Sequence, residues 1–137
     1  CLEGEGGTFW KSFDQWVRSE LLRCGWISAE DTGIYKLCAT PEEAVRHIQQ
    51  FYRIYHSSRY VKDDLVIRLK SPLKEADVAA LNDEFRSLVK VGQIVQRGPY
   101  EVETDYLDLP RLAFTHTRSK FGMIRRLIDR INSFDVG

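Results

Sequence analysis

Apolar side chains recur at helical spacing at Phe9, Phe13, Trp16, Val17 and Leu21, and Gly25 follows as a stop. The pattern predicts a helix over that stretch with Thr8 as its cap. Ser28 followed by Asp31 predicts one short helical turn, and Ile34 to Cys38 is apolar and β-prone, the pattern of a short strand. Thr40-Pro41-Glu42-Glu43 is the sharpest local signal. Thr caps, Pro occupies the first helical position where its missing N–H costs nothing, and Glu43 closes a capping box. The helix that follows places Ala44, Val45, Ile48, Phe51, Tyr52 and Tyr55 on one stripe and ends near His56-Ser57-Ser58. Ahead of all this, Cys1-Leu2 running into Gly4-Glu5-Gly6-Gly7-Thr8 has the pattern of a buried strand's last residues, a tight loop and a helix start. Two strand residues cannot make a sheet alone, so the pattern predicts a severed strand whose upstream portion is missing.

Ser57-Ser58-Arg59 marks the predicted boundary between residues 1–58 and an α+β module over 59–137, because the period changes beyond it. Leu65, Ile67 and Leu69 alternate with Val66, Arg68 and Lys70, as in a half-buried strand. Ser71-Pro72 turns the chain. Val78, Leu81, Phe85, Leu88 and Val89 then share a helix stripe that stops at Gly92. Gln93 to Arg97 is predicted as a strand closed by Gly98-Pro99, Glu101 to Pro110 as an acidic surface loop, and Leu112 and Phe114 as the inward face of another short strand. Phe121, Ile124, Leu127, Ile128 and Ile131 line a last helix, with Arg125, Arg126 and Arg130 outside it. The expected module is β-α-β-β-α, a three-stranded, mostly antiparallel sheet under two helices. An open sheet face or edge in such a module suits a homodimer.

Composition narrows the function classes. The 137 residues carry 20 basic and 20 acidic side chains, so no overall field draws in nucleic acid or anionic lipid. No apolar run approaches the roughly 20 residues a membrane span needs. Cys1, Cys24 and Cys38 have neither C-x-x-C spacing nor a His at ligand interval, which predicts free thiols in a reducing cytoplasm and no metal or other cofactor. Leu65 to Leu69 lacks the exposed aromatics an RNA-binding sheet presents, and Trp10, Trp16 and Trp26 follow packing stripes, so nucleic acid is not an expected partner.

Two stretches remain as candidate ligand sites. Gly6, Gly7 and Thr8 lead into a helix N-terminus, where free N–H groups and the dipole favour anions. The loop lacks the Lys of a P-loop, and Glu3 and Glu5 repel phosphate, so a purely structural turn stands beside the ligand-facing reading. His116, Thr117, Arg118, Ser119 and Lys120 join a strand to a helix and offer cations, hydroxyls and helix N–H groups to an anion. The alternative there is a hydroxyl cap with solvated basic groups. His47 and His56 have no spaced partner, and capping accounts for Glu42 and Glu43. No residue is assigned a catalytic role.

The run Phe9-Trp10-Lys11-Ser12-Phe13-Asp14-Gln15-Trp16-Val17, then Gly25-Trp26-Ile27-Ser28-Ala29-Glu30-Asp31, then Thr40-Pro41-Glu42-Glu43-Ala44-Val45 resembles the C-terminal end of LONELY GUY-type proteins, the Rossmann-like family long called lysine decarboxylases. The resemblance covers about residues 1 to 56. It implies that residues 1–58 are the tail of a Rossmann-like parallel sheet (helix, short strand, helix), making the whole chain α/β to α+β. It further implies a nucleotide-binding, often dimeric parent whose characterised members hydrolyse the N-glycosidic bond of nucleoside 5′-monophosphates. The family's P-G-G-x-G-T-x-x-E motif is absent. The chain is therefore expected to be a non-catalytic fragment serving association or regulation. Alternatives are a phosphoribohydrolase piece lending residues 3–8 to the pocket, and a small-molecule or anion sensor.

Overall fold

A computed structural model describes residues 1–136 as a mixed α/β fold around one open four-stranded antiparallel sheet. In chain order the elements are α1 (Phe9–Trp16), continued by a π-helical turn (Val17–Leu22), a 3-10 segment (Ala29–Ile34), α2 (Pro41–Phe51), β1 (Tyr55–Val61), β2 (Asp64–Leu69), α3 (Glu75–Glu84), a 3-10 turn (Arg86–Leu88), β3 (Val89–Arg97), β4 (Arg111–His116) and α4 (Phe121–Ile131). The strands lie in the order β1-β2-β4-β3.

The core sits on one face of this sheet. Leu65, Ile67 and Leu69 of β2 and Leu112 and Phe114 of β4 point the same way, and Leu81, Phe85, Leu127, Ile128 and Ile131 cover them from α3 and α4. The expected alternation in β2 is present, yet Val66 and Arg68 are buried as well. The second face is covered too, by the connection from Gly98 to Pro110. Tyr100 there packs on Val61, Val66 and Ala113.

The module differs from its sequence expectation in two places. It has four strands, not three: Ser57-Ser58-Arg59, expected to separate two regions, lies inside β1 and pairs with Arg68, Ile67 and Val66. Edge strands need no apolar outer face, so Tyr55–Val61 carries the composition of a linker while Tyr55 prolongs the helical stripe. The chain bends into β2 through Lys62 and Asp63, with Lys62 in the left-handed region at φ 55°. Gly92 does not end a helix. Its φ of 76° shapes a bulge within β3, where Val91 pairs with Thr115 and Val95 with Ala113.

The first fifty residues form a helical flank. Ile34 to Cys38 is not a strand of the sheet, and its one ladder contact is a parallel bridge between Cys38 and Leu2. The predicted stripe of α2 is buried only at its C-terminal end, where Phe51 packs on the core and Tyr55 is part of it; Val45, Ile48 and Tyr52 are exposed, as are Phe9, Phe13, Trp16 and Trp26. The flank is tied to the module by polar contacts. The Asn132 side-chain oxygen accepts hydrogen bonds from Ile54 N at 2.7 Å and Tyr55 N at 3.0 Å, and its amide donates to Phe51 O. Gln50 and Arg53 both donate to Asn132 O. Among the described residues no helix is long and apolar enough to cross a membrane.

Candidate functional site

Three helix N-termini that could hold an anion are filled by the chain's own side chains, two of them by carboxylates. At α1 the Glu3 carboxylate accepts from Lys11 N at 3.0 Å, while Thr8 makes no side-chain cap bond, contrary to expectation. Gly7 N donates to Gly4 O at 2.8 Å, and a Cβ on Gly7 would lie 2.9 Å from the Glu3 carboxylate. Gly6, with φ 66°, completes a tight turn. At α2, Thr40 accepts from Glu43 N at 3.2 Å, and the Glu43 carboxylate returns to Ala39 N, one residue earlier than a capping box requires.

At α4 the carboxylate comes from the flank. Asp31 accepts from Ser28 N and the Ser28 hydroxyl, both at 2.9 Å, and also faces the Gly122 backbone N–H. These hydrogen bonds, Ser28 first, hold its carboxyl below the usual range despite partial burial. Gly122 is buried against Glu30 and Asp31. Anion-binding chemistry at helix termini is therefore used for internal capping.

The residues from His116 to Lys120 do not converge on solvent. His116 is buried at the end of the helix-covered face. Its Nε2 lies 3.1 Å from Ser119 O and its Nδ1 2.6 Å from the Tyr60 hydroxyl. A carbonyl can only accept, so Nε2 carries the proton and Nδ1 accepts from Tyr60. Burial pushes the His116 pKa down, the Ser119 carbonyl offsets this in part, and the Arg118 charge adds to the depression. Arg118 stacks on Tyr60, 3.8 Å from the ring centroid, and donates to Lys62 O at 2.8 Å. The Ser119 hydroxyl donates to that of Thr117, and Lys120 caps α4 with a left-handed φ of 55° and no side-chain bond. His116 and Arg118 thus pin the β1–β2 turn against the start of α4.

Two sites lie where no sequence signal marked one. The larger is a cleft of about 620 Å³ lined by Val61, Asp64, Val91, Arg97, Tyr100 and Val102 among others. Its floor is Asp64, which accepts from the Tyr100 hydroxyl at 2.6 Å and the Thr115 hydroxyl at 2.7 Å. Burial first, then Asp64, raises the Tyr100 pKa.

The second is a buried charge cluster on the same sheet face. Register places Ser57, Arg68, Arg111 and Arg97 in one row across all four strands. Glu103, expected in a surface loop, is instead buried between Arg68 and Arg111. Burial opposes its ionisation, but the Tyr100 N–H and the two guanidinium groups prevail and draw its pKa to about 2. An acidic loop gives no sign of which carboxylate it buries, whereas the pairing of Arg68 with Arg111 becomes visible only once the register is known.

Among the described residues no three His, Cys, Asp or Glu side chains come together as a metal-binding group. Comparison with protein-family models, curated proteins and solved structures finds no match to this chain.

Proposed function

We propose that this chain is a non-catalytic association piece: the helical flank ahead of β1 belongs to the end of a Rossmann-like, LONELY GUY-type nucleotide-binding domain, and the four-stranded sheet with α3 and α4 is its accessory α+β module. The observation that carries this reading is the parallel Leu2–Cys38 bridge beside helices whose apolar faces are open. A lone parallel bridge flanked by helices is the arrangement found at the end of a parallel α/β layer, where neighbouring strands and helices cover such side chains. Phe9 is 69% exposed and Trp26 80%, more than isolated surface aromatics need. The self-filled helix termini agree with a piece that does no phosphate chemistry of its own.

The test has two arms. Incubated with nucleoside 5′-monophosphates, the chain releases no ribose 5-phosphate; turnover would instead favour the phosphoribohydrolase reading. In sedimentation it self-associates, as a homodimer in the simplest case, and Phe9→Ser with Trp16→Ser shifts it to monomer. A wild-type monomer at all concentrations removes the association reading. Sensing of a small molecule by the module is a second reading, favoured by the cleft above Asp64.

A further inference from the structure

On the sheet face away from α3 and α4, the row of arginines is not neutral. All the donors of Arg111 are engaged: Nε and Nη2 go to Glu103, Nη2 also to Asp105 O, and Nη1 to Tyr106 O and Leu109 O. Glu103 is equally saturated, since its two oxygens accept from Arg111, Arg68 and Tyr100 N. Glu103 and Arg111 therefore form a complete, bidentate pair. Arg68 is the surplus. It is 5% exposed, yet makes a single hydrogen bond, from Nη2 to Glu103 at 2.9 Å, and its buried Nε has no partner among the described residues. Two buried guanidinium groups face one buried carboxylate, and an uncompensated buried charge is costly.

What borders Arg68 suits an oxyanion. Ser57 stands directly opposite it on β1, and the Ser57 hydroxyl lies 2.9 Å from His56 Nδ1. The Tyr106 ring lies 5.4 Å from the Arg68 guanidinium carbon and 4.4 Å from the His56 ring, and Tyr106 is itself half exposed. The Tyr106 ring thus lies over the Arg68 guanidinium and beside His56 while its own side chain stays half exposed.

We propose that Arg68, Ser57 and His56 form a binding site for a small carboxylate-bearing molecule, with the Tyr106 ring as its cover. One surplus positive charge calls for a monoanion, and two coplanar carboxylate oxygens match one edge of a guanidinium better than a dianionic phosphate set against Glu103. The site is separate from the flank and independent of the association reading.

The experiment is titration of the full chain with sodium acetate at pH 7, with sodium chloride holding ionic strength constant and a parallel sodium phosphate series. Melting temperature and backbone amide shifts are read together. Acetate raises the melting temperature saturably by several degrees relative to chloride, as expected for a ligand that binds only the folded state. The shifted amides cluster at Ser57, Arg68 and Tyr106. Arg68→Met abolishes the effect while leaving the acetate-free melting temperature unchanged or higher, because it removes the surplus charge and leaves the bidentate Glu103–Arg111 pair whole. Should that variant fail to fold, Ser57→Val serves in its place and weakens acetate binding at least tenfold. No saturable effect in the wild type, an equal effect in Ser57→Val, or a stronger effect of phosphate than of acetate overturns the proposal.

Discussion

Asp31 occupies the space a side chain at Gly122 would need. A Cβ at position 122 would come within 2.6 Å of Asp31 N and 2.5 Å of the Glu30 carbonyl carbon. This contact lets the Asp31 carboxylate reach the first turn of α4, and so joins the N-terminal flank to the module. Gly122→Ala forces the two backbones apart and should cost about 1–3 kcal/mol. Gly98→Ala, where a Cβ meets nothing within 4 Å, is the control. Urea unfolding of both variants checks the difference.

Asn132 does for the α2–β1 junction what a neighbouring strand would do. It satisfies the Ile54 and Tyr55 N–H groups and the Phe51 carbonyl with one buried amide. Asn132→Ala leaves those groups buried and unpaired, a loss of at least about 1–3 kcal/mol. Hydrogen exchange should show the Ile54 and Tyr55 amides losing protection ahead of those in β2.

Glu103→Gln breaks the buried pair with Arg111 and leaves both guanidinium groups without a counter-charge, so it should cost about 3–5 kcal/mol. In the wild type, a carboxylate held at about 2 stabilises the fold above the unfolded value near 4.5. That contribution disappears as pH falls from 4.5 towards 2, since the unfolded chain takes up the proton first. Acid titration of urea midpoints should show this slope in the wild type and its loss in Glu103→Gln.

His116 acts at higher pH. Its folded pKa lies below the ordinary 6.5, so above 6.5 both states are neutral and nothing is gained. Below 6.5 the unfolded state binds the proton more readily, and stability falls as pH drops through the depressed value. His47 adds to the same slope, lowered by burial and then by Arg125. His116→Gln should therefore flatten the fall without removing it. Nitrogen-15 NMR should find His116 protonated on Nε2 at neutral pH.

The two threonine caps should behave differently. Thr40→Ala removes the acceptor for Glu43 N and should cost about 1 kcal/mol. Thr8→Ala removes no cap bond and should be near neutral, whereas Glu3→Gln should weaken the start of α1. Thermal melts of the three variants order them.

Local rules were legible in the residues themselves. The Thr40-Pro41 helix start, the Ser28–Asp31 capping box and the existence of β2 follow from short-range geometry and stand in the structure close to where those rules put them, although both faces of β2 are buried rather than one. So does the inward face of Leu112 and Phe114. Other features were hidden because their causes are distant in sequence. Ser57-Ser58-Arg59 becomes a strand only because β2 offers it an edge, and the burial of Glu103 depends on Arg68 and Arg111 meeting across two strands. The candidate anion loops read correctly as helix starts, but nothing local says that Glu3 and Asp31 fold back to fill them.

By itself, the sequence determined the helix starts, the strand period and the charge balance, since each depends on residues a few positions apart. Tertiary packing settles which carboxylates cap which helices, that Arg68 is buried beside an already paired Glu103 and which apolar side chains stay open. Those outcomes rest on register and burial, which pair groups dozens of residues apart and set the desolvation each one experiences.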